Sequence, residues 1–387
     1  MEARSVNNIC LFTINLLFVL CHFSCIQTSD NDSQITASNI ENGIDHAAGF
    51  EVEIHDNYRV LKVFNPWQGA KNVNFKYILV DREKDIADSY PEGIVIRTPV
   101  KSVICLSTTH VAMLDFIDET DKITAVSGSR YIYNEQIRES IKLGTLPDIG
   151  YDTNLDYEQI LQLKPELIFA YGVGAETSAY VGRLQSLGLQ VALIGEYLEQ
   201  SPLAQAEWVK FVAHFFNKQD TAEENFNIVK EEYKKLVDET RETVQRPFVL
   251  TGLPWRDSWF VPGGQSLFSA LIKDAGGRYL WETNPGRDNF PVNMEIVFSE
   301  AERADFWINT GTAISMDDIK NTDIRLTGLR PFRNNSVYNN NARIGEAGGN
   351  DFWESGIVNP HLVLRDLINI LQPGLLETDQ YIYYRKL

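Results

Sequence analysis

Aromatic and charged residues gather where this chain predicts loops, and their types suit the enclosure of a bulky ligand better than bond-making chemistry. Tyr131 and Tyr133 lie in the run Ser129-Arg130-Tyr131-Ile132-Tyr133-Asn134, Tyr151 follows Asp148-Ile149-Gly150, and Tyr171 ends an apolar run. Trp255, Arg256 and Trp259 share the segment Leu253-Pro254-Trp255-Arg256-Asp257-Ser258-Trp259, while Arg287, Asp351 and Trp353 come later. An aromatic on a loop is not needed to fill a strand face, so it can offer a flat apolar wall with a polar tip. Arginines among such walls suit carboxylates and other anions. Each residue taken alone is as well explained as an anchor packing its own loop; recurrence in both halves of the chain favours a shared site.

Catalysis and metal capture have less support. The histidines beyond the first residues are His46, His55, His110, His214 and His361, with no pair at ligand spacing and no cysteine partner, so neither bare zinc nor manganese is an expected ligand and no cofactor is implied. Neither a G-x-S-x-G elbow nor an H-E-x-x-H motif is present, which leaves hydrolase chemistry without an anchor. The best enzyme decoy is Gly172-Val173-Gly174-Ala175-Glu176-Thr177, with acidic Glu196 beyond the next strand and Thr177 in the third glycine position. It supports an alternative reading as a secreted α/β enzyme with a nucleotide-like cofactor at 172–174. Cys105 sits in Val103-Ile104-Cys105-Leu106 and reads as a buried, inert thiol.

The elements that would position these residues alternate between strand and helix. Strands are expected at 102–106, 123–126, 166–171 and 190–194, with helices at 110–117, 157–163, 176–187 and from 202 to about 216. The scheme resumes with strands at 248–253 and 305–309 and helices at 265–273, 316–319 and 360–371. Such alternation implies mostly parallel sheets covered on both faces, whose ligands gather beyond the carboxyl ends of the strands. An internal echo pairs Asn154-Leu155-Asp156 with Asn293-Met294-Glu295, and both spans place a glycine, Gly172 or Gly311, 18 residues after the asparagine.

Between the two halves stands one long amphipathic helix, 220–246. Asp220 and Glu223 suit a capping box, Pro247 suits a stop, and Phe226, Val229, Tyr233, Leu236, Val237 and Val244 recur at helical spacing. At ~1.5 Å per residue it reaches roughly 38 Å. The fold class is therefore α/β, with two Rossmann-like lobes of mostly parallel sheet, 100–217 and 247–387, joined by a single helix over 218–246. An extension at 49–99 reads as a β-hairpin around Asn65-Pro66-Trp67-Gln68-Gly69.

A chain of 387 residues with 44% hydrophobic and 23% charged residues has an ordinary globular balance. Its net charge of −18 argues against nucleic acid or an anionic membrane as the main partner, since phosphate binding needs clustered Lys and Arg. The apolar run 9–23 is too short for the ~20 residues of a membrane span. It ends at Ser24-Cys25 before a polar stretch, the outline of a lipoprotein-type signal peptide over 1–25 with Cys25 as the lipidated residue, followed by a polar tether over 26–48. Cys10, Cys21 and Cys25 all lie in that leader, so an intramolecular disulfide in the folded body is not expected.

These stretches resemble the substrate-binding proteins of ABC importers for iron-siderophore, haem and cobalamin, in which a rigid helix joins two α/β lobes. The resemblance rests on Lys101-Ser102-Val103-Ile104-Cys105-Leu106-Ser107, on Asn154-Leu155-Asp156-Tyr157-Glu158 leading to Lys164-Pro165-Glu166-Leu167-Ile168, on Leu271-Ile272-Lys273-Asp274-Ala275-Gly276-Gly277, and on the helix after Asn359-Pro360. It covers about residues 98 to 372. The resemblance implies a non-enzymatic, monomeric protein on the periplasmic side of an envelope membrane, which holds an iron complex or corrinoid between its lobes and delivers it to an ABC permease. It further implies that Tyr171, Trp255 and 351–353 touch ligand and that an acidic residue on each lobe docks the permease. Glu158 matches the first docking position; Lys273 stands at the second, with Asp274 beside it. A competing class is an adhesin-like structural lipoprotein.

Overall fold

Short apolar runs become parallel strands because both of their faces are covered. In the N-terminal lobe, Ile123–Val126, Val103–Cys105, Leu167–Ala170 and Val191–Leu193 pair in that order, all parallel. Alternate residues of these strands enter opposite cores: Val103, Cys105, Leu167 and Phe169 face one way, and Ile104, Ile168 and Ala170 the other. The C-terminal lobe repeats the plan, with Arg278–Tyr279, Phe248–Thr251 and Phe306–Ile308 parallel in that order. There Val249 and Ile308 enter one core, Leu250 and Trp307 the other.

The computed structural model describes residues 39–40, 43–84, 90–151, 154–174, 176–256, 258–377 and 380–387, all within one compact unit spanning 37–387. The expected leader with Cys25, and the tether up to residue 38, lie outside the described residues. Among the described residues no helix is long and apolar enough to cross a membrane.

The halves of the internal echo fold alike. Asp156 caps Tyr157–Leu163 by accepting from the Gln159 amide at 2.9 Å, and Asn293 caps Met294–Ala301 by accepting from the Glu295 amide at 2.8 Å. Each helix then feeds a parallel strand of its lobe. Other helix starts follow equally local chemistry, as in Pro202–His214, where Ser201 accepts from the Ala204 amide and Pro202 takes the first turn.

The long helix is Gln219–Arg241, about 35 Å at 1.5 Å per residue. It starts without the expected capping box: Lys218 is the cap and makes no side-chain cap bond, while Asp220 lies in the first turn, where its charge suits the helix dipole. Glu223 reaches instead to Lys210 at 2.7 Å. The helix also ends before Pro247, and Val244, 96% exposed, has no face to bury against. Within the helix the apolar stripe changes allegiance. Ala222 and Phe226 belong to the core of the N-terminal lobe, Val229 and Tyr233 to that of the C-terminal lobe, and the final helix Pro360–Leu371 packs alongside.

The extension is larger than a hairpin. Arg59–Phe64 and Asn74–Asp81 pair as expected, but Asn39–Ile40, Phe50–Ile54 and Ile94–Thr98 complete a five-stranded sheet, antiparallel except for its last, parallel pair. Tyr77 joins this sheet to the N-terminal lobe, packing on Phe211 and Phe215 while its hydroxyl accepts from the Leu193 amide at 2.8 Å. The stretch between Asn39–Ile40 and Phe50–Ile54 is bound down as well. Buried Glu207 accepts from the amides of Asp45, His46 and Ala47, and buried Glu199 from those of Ala48 and Gly49.

Candidate functional site

The residues that follow the parallel strands converge on one cavity between the lobes, as strand-end geometry requires. Leu106, Ser107 and Thr108 follow Val103–Cys105, Ser127 follows Ile123–Val126, and Tyr171 follows Leu167–Ala170. From the other lobe, Asn309, Gly311 and Thr312 follow Phe306–Ile308, and Asn340 and Asn341 follow Tyr338–Asn339. The cavity's volume is about 550 Å³. A second compartment of about 640 Å³ continues it into the N-terminal lobe, sharing Leu106, Ser127, Tyr151 and Tyr171.

Tyr131, Tyr151, Tyr171 and Trp353 form the aromatic lining. Tyr131 and Tyr151 pack together with ring centroids 5.2 Å apart. Gly128 makes their approach possible: at its positive φ of 67°, a Cβ would stand 2.6 Å from the Tyr151 ring and 3.1 Å from that of Tyr131. Asp148 pins the two loops by accepting from the amides of Gly128, Ser129 and Gly150. Trp353, half exposed to the cavity, is braced from behind by Phe268 and Phe352.

The other expected site residues lie elsewhere. Trp259 is in the core: it has 0% exposure, packs on Trp307, and donates its indole N–H to the Thr251 carbonyl at 2.9 Å. It belongs to the strand Ser258–Val261, whose alternation turns Trp259 and Val261 inward and Phe260 outward. Trp255 is 61% exposed at the end of a short strand, covered by the Arg256 guanidinium 4.3 Å from its ring, and neither lines the cavity. Arg287 reaches across to the Leu198 carbonyl and borders a separate hollow beside Glu199 and Trp208. Asp351 is buried, and its carboxylate pairs with Arg343 at 2.7 Å; it holds the loop that carries Trp353 and does not face the cavity. Tyr133 lies against the same Arg343, 5.1 Å from ring to guanidinium.

Contacts between the lobes frame the cavity. Glu354 of the C-terminal lobe accepts from the Tyr133 and Asn134 amides of the other lobe, both at 2.7 Å, although only 2% of it is exposed. Burial, with Asp351 and Asp115 adding to it against those two amide bonds, pushes its carboxyl up to about 7. The Thr108 hydroxyl donates to the Trp353 carbonyl at 3.2 Å. Gly349 presses so close to the opposite lobe that a Cβ there would lie 2.6 Å from the Tyr131 and Ile132 carbonyls.

Reasoning from sequence missed the amide wall of the C-terminal lobe, Asn309, Asn340, Asn341 and Asn350. The run Asn339-Asn340-Asn341 was its visible signal. Asn339 is buried and donates to the Gly311 and Ala313 carbonyls, which orders the loop beside the cavity. The backbone of Asn340 is held by Asn339 and Asn350.

The expected nucleotide turn borders the second compartment. A Cβ on Gly172 would stand 2.0 Å from the Thr177 hydroxyl, so the glycine makes room for that side chain, and Glu196 is buried. Among the described residues no group of three or more His, Cys, Asp and Glu could hold a metal ion. Of the expected docking acids, Glu158 is exposed on the first turn of its helix. Asp274 is turned inward and accepts from the Tyr233 hydroxyl at 2.6 Å, leaving Lys273 exposed.

Comparison with known proteins agrees with this architecture. An uncharacterized lipoprotein of Methanocaldococcus jannaschii is 25% identical over 333 residues, 80% of this chain and 78% of the relative. The periplasmic heme-binding protein RhuT from Roseiflexus sp. RS-1, in apo form, is 18% identical, covers 72% of this chain and 100% of its own, and superimposes with a TM-score of 0.54. The periplasmic vitamin B12 binding protein BtuF of Vibrio cholerae is 15% identical over 71% of this chain and 97% of its own, with a TM-score of 0.53. The model of the periplasmic binding protein family matches residues 103–340. With strand ends, linking helix and interlobe cavity all in place, the chain belongs to that family of binding proteins.

Proposed function

We propose that this chain is the extracytoplasmic substrate-binding component of an ABC importer, which captures an iron complex (siderophore or haem) or a corrinoid between its lobes and passes it to a membrane permease. The observation that carries the reading is the interlobe cavity at the strand ends, walled by Tyr131, Tyr151, Tyr171 and Trp353. Four aromatics around about 550 Å³ suit a rigid, flat or bulky ligand, and a pocket of this size can bury most of one. Solved relatives titled as heme-binding and vitamin B12 binding proteins have the same fold.

Anchoring through lipid on Cys25 is part of the proposal, supported by the sequence around that residue and by relatives named as lipoproteins. So is a monomeric state, and so is docking through Glu158, with the second contact made without Asp274, whose carboxylate is engaged by the linking helix. The test is an absorption titration of the mature chain, since siderophore, haem and corrinoid complexes are all coloured. A saturable spectral change with one of them at micromolar concentration or below is expected. No spectral change with any, on protein shown to be folded, refutes the reading.

A further inference from the structure

Among the described residues, no charged side chain lines the cavity between the lobes. Three tyrosines, small hydroxyl residues and Trp353 face the amide wall of Asn309, Asn340, Asn341 and Asn350. Of the nearby cations, Arg343 is paired with Asp351 at 2.7 Å, while Arg130 lies outside the lining, stacked on Tyr131 and bonded to its hydroxyl. The adjoining compartment contains Glu176 and Arg183, one charge of each sign, with Arg183 stacked 4.1 Å over Tyr157. The chain as a whole carries −18.

These features set the ligand's charge. An anion entering this cavity would lose its hydration, approach against the field of an acidic protein, and find among the described residues no lining cation to replace the water it gave up. A ligand with amides or hydroxyls on its rim meets the opposite situation. Much of the wall is already engaged within the protein: the Asn341 amide donates to the Ala313 carbonyl and accepts from Arg385, the Asn350 amide donates to the Asn340 carbonyl and accepts from the Phe352 amide, and the Asn309 oxygen accepts from the Tyr384 hydroxyl, which leaves the Asn340 amide to match a rim that both donates and accepts. Asn340 is placed for this, because its backbone N–H and carbonyl are already satisfied by its neighbours' side chains and its own side chain borders the cavity.

We infer that the ligand is an uncharged metal chelate whose rim carries amide or hydroxyl groups, and that anionic chelates are rejected. The inference rests on the proposed binding role and narrows it. The shared chemistry has two sources, a neutral corrinoid and a neutral ferric trihydroxamate. The experiment titrates the mature chain with cyanocobalamin, ferrichrome, hemin and a ferric tricatecholate at low and high salt. At least one neutral probe should bind at least 100-fold more tightly than both anionic ones, with little salt dependence, and the stronger neutral probe identifies the source. Equal or tighter binding of hemin or the tricatecholate overturns the inference and leaves the binding role standing. Binding of none of the four refutes the binding role, and the inference falls with it. Asn340→Leu should weaken the neutral probe at least tenfold without moving the urea midpoint; unchanged affinity overturns the part assigned to the amide wall.

Discussion

Glu354 offers a pH experiment whose sign and size both follow from its surroundings. Its ordinary value of 4.5 is raised to about 7, chiefly by burial. At roughly 1.4 kcal/mol per pH unit, ionising it inside the fold costs about 3 kcal/mol more than in the unfolded chain. Between those two values the folded protein holds a proton that the unfolded chain has released. Stability contributed at this position is therefore greatest below about pH 4.5, falls as pH rises, and levels off above about pH 7. Glu354→Gln keeps the shape and removes the ionisation. Urea midpoints of parent and variant, measured from about pH 4.5 to about pH 8.5, should converge in the variant's favour as pH rises, the difference between the two changing by about 3 kcal/mol. Glu196, also buried and raised to about 7, adds a slope of the same sign to both proteins and cancels in the comparison. Parallel curves would show that Glu354 titrates normally. A variant that loses ground with rising pH would show that the two amide bonds to the carboxylate outweigh its burial, and the reasoning would fail.

Three other outcomes are expected. Trp353→Ala should weaken ligand binding by roughly 2 kcal/mol, about 30-fold, whereas Trp255→Ala, away from the cavity, should leave it within about twofold; a titration that reverses this order refutes the placement of the wall. Leu236→Pro, in the interior of the linking helix and packed on the C-terminal core, should cost ~3 kcal/mol and also loosen ligand binding, and intact affinity in the destabilised protein would separate the helix from cleft geometry. Glu158→Lys should lower ligand-stimulated ATPase activity of the permease in proteoliposomes while leaving ligand affinity unchanged; full stimulation would remove this residue from the docking surface.

Much of the scaffold was legible from local chemistry. Strand 123–126 and helices 157–163 and 360–371 fall where apolar spacing and caps put them, because each is decided by residues within a few positions. The long helix was legible for its periodicity but not its ends, since a cap depends on which polar group wins the first turn, and Lys210 claimed Glu223 from a different helix. Tyr131, Tyr151, Tyr171 and Trp353 share the cavity lining because they directly follow strands or short turns, a position that the sequence displays. Trp259 misled because a four-residue strand was taken for loop, although its inward-outward alternation was present in Ser258-Trp259-Phe260-Val261. Asp274 and Glu354 could not be placed from sequence: their partners, Tyr233 and the Tyr133–Asn134 amides, are 41 and more than 200 residues away. The amide wall was overlooked because asparagine is also the commonplace residue of turns.

The stripe of the linking helix, given to one core at Phe226 and to the other at Val229, bears on how the molecule comes apart. Less than one helical turn separates these anchors, so neither lobe can melt without fraying the segment that seals the other. The expected consequence is a single cooperative transition on heating, with matching calorimetric and van't Hoff enthalpies, from a chain whose two lobes would otherwise suit separate transitions.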